Sequence, residues 1–207
     1  MKFYESGDSS KPVIFLFPGT CCLYSSFDHI LDGLHSYFYT VTVSYDGFDP
    51  NEKTEFYSME DECEKIEQEI KKKYDGRIKA AYGCSLGGSF VSLLIQRKRI
   101  HIDHGIIGSS DMDEAGRLVA KIQSSMVVPF MYKMIHTGAL PKFMQKKLNK
   151  TDEVKKELYN GFLNMFGIGK GGSPWITKQS IYNQFYSDLV TKVQHGIDVP
   201  GTTIHVF

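Results

Sequence analysis

A chain of 207 residues is long enough for one domain with a full core and an inserted subdomain. Its 24 lysines and arginines match its 24 aspartates and glutamates, so no global field draws it toward nucleic acid or an anionic membrane. No apolar run reaches membrane-spanning length, and Met1-Lys2-Phe3-Tyr4-Glu5 lacks the apolar stretch of a secretory signal.

In chain order, residues 2–6 and 13–17 read as strands joined by the turn Gly7-Asp8-Ser9-Ser10. A helix over 26–37 follows, with Phe27, Ile30, Leu31 and Leu34 on one face, and then a β-branched strand at 40–45. The helix over 59–74 has Ser58 and Asp61 as a capping box and Cys63, Ile66 and Ile70 as its buried stripe. A strand at 78–82, a glycine-rich turn, an amphipathic helix over 89–99 and a strand at 103–107 come next. This alternation predicts an α/β fold, a mostly parallel sheet flanked by helices, with ligands at the carboxyl ends of the strands.

From about residue 111 to 190 the pattern turns helical, with Met, Phe and Tyr at helical spacings: Met126, Phe130, Met131 and Met134, then Phe143 and Met144, then Leu158, Phe162, Met165 and Phe166. Residues 167–173 form a glycine-rich hinge and 175–189 another amphipathic helix. Most of these apolar side chains are expected to be packing between helices, with a minority lining an acyl or alkyl pocket. The domain reading is a core of 1–110 and 191–207 and a helical cap of 111–190, with a strand at 202–207.

The most informative segment is Gly83-Cys84-Ser85-Leu86-Gly87-Gly88, a Gly-x-Ser-x-Gly on a strand-to-helix turn. A bare glycine-rich turn whose serine caps the helix would also fit the residues. Strand before and amphipathic helix after favour a nucleophile elbow, which lifts the Ser85 hydroxyl clear of the sheet at a helix N-terminus. The four cysteines, with Cys21 and Cys22 adjacent, form neither a disulfide framework nor a zinc spacing. Reduced thiols, a cytoplasmic location and no metal or cofactor are the expectation.

The order of elements and two motifs, Gly83-Cys84-Ser85-Leu86-Gly87 and Phe17-Pro18-Gly19-Thr20, resemble the α/β-hydrolase family over nearly the whole chain. The second carries Pro18 where histidine is common in that family. The resemblance implies a serine hydrolase or esterase acting on carboxylic (thio)esters through an acyl-enzyme at Ser85. It implies an oxyanion hole from the Leu86 N–H and, from the loop after Gly19, the Thr20 N–H, with Cys21 as the alternative. The partner expected is a small-molecule acyl ester, with neither nucleic acid nor membrane.

The family's order of Ser, acid, His is not completed, because the chain ends inside the strand after the helical segment. The chain is therefore expected to be C-terminally incomplete and inactive or impaired. Asp111 reads first as a helix cap and second as the acid; His195 and His205 are weak substitutes, and His29, His35, His101 and His104 weaker still. The competing expectation is a non-catalytic ligand-binding or interaction protein on the same fold.

Overall fold

Five consecutive apolar residues make β2, Val13–Phe17, a strand covered on both faces. In a computed structural model, which describes residues 1–110, 114–168 and 171–207, β2 lies at the centre of a six-stranded sheet. It pairs in parallel with β3, Tyr39–Ser44, on one side and β4, Arg77–Cys84, on the other. Beyond β4 come β5, His101–Gly108, and β6, Thr203–Val206, both parallel. The strand β1, Lys2–Ser6, closes the other edge antiparallel to β3, giving the order β1-β3-β2-β4-β5-β6.

Alternation along the strands feeds two layers. Ile14, Leu16 and Ala80 face one way, meeting Phe27 of a 3-10 turn (Tyr24–Phe27) and Ile30, Leu31 and Leu34 of α1, Asp28–His35. Phe15, Phe17, Val41 and Val43 face the other way, toward α2 (Met59–Lys73) and α3 (Leu86–Arg97). Cys63, Ile66 and Ile70 are fully buried on α2, and the Ser58 hydroxyl accepts from the Asp61 N–H at 3.1 Å. Each aliphatic side chain removed from water there stabilises the fold by about 1.5–3 kcal/mol.

The expected fold class stands, and the strand bounds agree within two residues. α3 begins three residues earlier than its periodicity predicts, because Gly87 and Gly88 belong to the helix. A Cβ on Gly87 would lie 2.1 Å from the Phe17 carbonyl oxygen, and one on Gly88 2.8 Å from the Ser110 Cβ. The bare backbone lets the helix start against the sheet.

Among the described residues four further helices follow: α4 (Arg117–Thr137), α5 (Lys142–Leu148), α6 (Glu153–Asn164) and α7 (Lys178–Val190). α7 packs on α4 and α2 and is tied to the loop after β3, where Asn183 donates to the Phe56 carbonyl at 2.8 Å. The expectation that most apolar side chains here are packing needs correction. Met134 and Phe166 are buried, but Met126, Phe130, Phe143, Leu158 and Phe162 are exposed. Periodicity tells which residues share a helix face, not whether another element covers that face; Met131, Met144 and Met165 pack on the core while these five stay exposed to solvent.

Candidate functional site

Ser85 stands between β4 and α3 with φ 54° and ψ −126°, a backbone conformation that residues with a Cβ rarely adopt. The surroundings impose it. A Cβ on Gly83 would sit 2.0 Å from the Gly87 carbonyl oxygen, so the turn closes only with glycine there. The Ser85 N–H is held by the Gly108 carbonyl of β5 at 2.9 Å, and the Gly88 N–H donates to the Ser85 carbonyl at 2.8 Å. The side chain makes no capping bond to the helix, which removes the bare-cap reading. Ser85 is exposed and its hydroxyl bonds to no described residue, while Leu86 behind it is fully buried. As the first residue of α3, Leu86 has an N–H without an intrahelical acceptor.

The loop after β2 runs directly beside this turn. A Cβ on Gly19 would meet the Cys84 carbonyl at 3.2 Å and the Ser85 Cβ at 3.7 Å. Tyr45, buried and stacked on Phe90 with centroids 4.7 Å apart, donates its hydroxyl to the Pro18 carbonyl at 3.1 Å. Cys21 takes a left-handed φ of 60°, and its N–H donates to Gln184 Oε1 on α7 at 2.6 Å. Cys22 closes the turn with its N–H on the Gly19 carbonyl at 3.0 Å. The Cys21 N–H is therefore occupied, whereas the half-buried Thr20 donates to no described residue. Gln184 is a residue the sequence reading missed; it lies 163 positions from Cys21 on an ordinary helix.

Burial holds the Cys21 and Cys22 thiols against ionisation. Burial, and then Cys84 nearby, pushes the Cys22 thiol up to about 12; burial also raises Cys21, with Cys22 adding to it. They are small packing groups rather than nucleophiles.

The histidines are scattered. His205 faces His104 across the sheet edge, Nε2 to Nδ1 at 3.4 Å, and His101 lies 3.3 Å from Asp103. His35 bonds Ser6 and Thr40. His195 is exposed in a loop whose Gln194 N–H donates to Gln96, at the far end of α3 and about 15 Å from Ser85 along the helix. His29 lines a groove of about 700 Å³ with Ser25, Leu158 and Phe162. Asp111 lies outside the described residues.

Among the described residues one acidic group has metal-like spacing: Asp46, Asp61 and Glu62 place oxygens within 4.8 Å of one another. The Lys65 ammonium bonds all three carboxylates, and the Met1 amine pairs with Asp46. The cluster already holds its cations.

No protein-family model matches the chain, and no curated protein matches it. Solved structures do match. A thermophilic esterase from Thermogutta terrifontis aligns over 99% of this chain and 74% of its own, with TM-score 0.70 and 14% identity. A carboxylesterase structure from the thaumarchaeon Nitrososphaera gargenis aligns over 99% and 74%, with TM-score 0.69 and 14% identity. Epoxide hydrolases of the α/β-hydrolase superfamily, from metagenomes of hot environments, align over 97% and 70%, with TM-score 0.58 and 11% identity. The chain has the α/β-hydrolase fold. It spans between 70% and 74% of the length of these three structures. Among the described residues no helix of this α/β-hydrolase-fold chain is long and apolar enough to cross a membrane.

Proposed function

We infer that the chain is a serine hydrolase of carboxylic esters or thioesters, with Ser85 as its nucleophile. The observation that carries this is the exposed Ser85 hydroxyl, raised on a strained backbone at φ 54° between two glycines that admit no side chain. The Ser85 oxygen attacks the acyl carbon and gives its proton to a base; the alcohol or thiol leaves with a proton, and water then releases the acid. The negative oxygen formed during attack is received by the Leu86 N–H and the Thr20 N–H, since Cys21 is committed to Gln184. Residues 111–190 serve as a cap over the acyl group, and the thermophilic esterase and carboxylesterase structures are in keeping with ester chemistry.

One observation favours a second reading, a ligand-binding protein without turnover: no described histidine or carboxylate bonds the Ser85 hydroxyl, and a serine without a base is a poor nucleophile. Assay of p-nitrophenyl butyrate and a butyryl thioester, wild type beside Ser85→Ala, separates the two. The hydrolase reading expects turnover that falls to background in the variant. Saturable ester binding by both proteins, without turnover by either, supports the second reading.

A further inference from the structure

Helix α4 has one buried side and one apolar side that is exposed. One stripe at four-residue spacing, Ala120, Ser124 and Val128, is buried where α4 packs on α7. A second, Leu118, Ile122, Met126 and Phe130, faces outward, with Leu118 71% and Met126 75% exposed. Phe143 of α5 is 69% exposed, and Phe130, Phe143 and Tyr159 open into an apolar pocket of about 370 Å³ walled by Met144, Leu148 and Leu163. Scattered exposed apolar residues need no explanation, but a continuous face of this kind marks an interaction site.

Charge identifies the partner. The zero net charge of the chain hides a division: residues 117–164 carry nine lysines and arginines against three aspartates and glutamates, leaving the rest of the chain net acidic. Arg117, Lys121, Lys133, Lys142, Lys146 and Lys150 make no ion pair with a described residue. Lys155 and Lys156 pair only within their own helix turn. An outward apolar stripe on a segment rich in cations that no described carboxylate pairs matches a surface that is negative outside and hydrocarbon beneath. A cationic rim would gain nothing from an uncharged apolar partner.

We propose that the α4–α5 face docks on an anionic lipid surface, with Leu118, Ile122, Met126, Phe130 and Phe143 entering the headgroup boundary and the basic residues holding acidic headgroups. The residues named in this face make no bond to Ser85, and vesicle binding is read without turnover, so this docking is tested apart from the hydrolase reading.

The test is co-sedimentation of the full chain with vesicles of phosphatidylcholine alone or of an equal mixture with phosphatidylglycerol. The expected result is binding to the mixed vesicles, weaker by about tenfold or more on phosphatidylcholine alone and at about 1 M salt, where the screening length is about 3 Å. Ile122→Ser with Met126→Ser lowers binding at least about tenfold while circular dichroism and melting stay unchanged. If that pair fails to fold, Lys142→Glu with Lys146→Glu reads the electrostatic part and is expected to weaken mixed-vesicle binding alone. Equal binding to both vesicle types, no binding, or binding that survives the variants overturns the proposal. So does a dimer by light scattering that the Ile122/Met126 variant dissociates, because a second copy then covers the face.

Discussion

Gln184 on α7 accepts the Cys21 N–H at 2.6 Å, joining the helical segment to the loop beside Ser85. The bond is fully buried, and the Cys21 N–H, in the loop after β2, has no other acceptor among the described residues. Gln184→Leu leaves that N–H without an acceptor and costs about 1–3 kcal/mol. The expected outcome is a lower melting temperature together with slower reaction of Ser85 with an acylating probe. Full reactivity in a folded Gln184→Leu protein would separate this bond from the site.

The elbow is closed by glycine, and Gly83→Ala tests it. An added Cβ 2.0 Å from the Gly87 carbonyl oxygen can be accommodated only by moving backbone that also meets Phe17. A loss of about 4 kcal/mol or more is expected, read by denaturant unfolding. A variant of near wild-type stability contradicts the turn as described.

Strain at Ser85 makes a separate prediction. Ser85→Ala keeps a Cβ at φ 54°, whereas Ser85→Gly removes the reason this conformation is costly. The glycine variant is expected to be more stable than the alanine variant by about 1 kcal/mol, measured as the difference in unfolding free energy.

Much of this architecture was legible in the sequence. The run Val13-Ile14-Phe15-Leu16-Phe17 is short, apolar throughout and flanked by proline on both sides, which favours a strand covered twice, and glycines two residues either side of Ser85 leave few alternatives to the turn observed. Ser58 and Asp61 announced the start of α2 by their spacing. Other features depend on contacts that no local pattern encodes. Gln184 looks like any polar helix residue until Cys21 is placed beside it. The outward stripe of α4 has the same four-residue spacing as its buried stripe, so only tertiary packing tells them apart.

Glu62 predicts a pH dependence of stability. It is fully buried, accepting from the Asp46 N–H and from Lys65, each at 3.0 Å. Burial, and then the Asp46 charge, pushes its carboxyl up to about 7 from an ordinary 4.5. Between those values the folded chain holds a proton that the unfolded chain has released, so stability falls as pH rises from about 4.5 to about 7. The loss is on the order of 3 kcal/mol at most, with the opposing pull of Lys65 already contained in the value of about 7. Glu62→Gln is expected to flatten this slope in unfolding curves taken from pH 5 to pH 8, and an unchanged slope would assign it elsewhere.

The central claim, that Ser85 is an activated nucleophile, is met most directly by exposing the purified chain to a fluorophosphonate and reading intact mass, wild type beside Ser85→Ala. The account predicts a single adduct on the wild type and none on the variant. A folded wild-type protein that stays unlabelled, or a variant that labels equally, would contradict it.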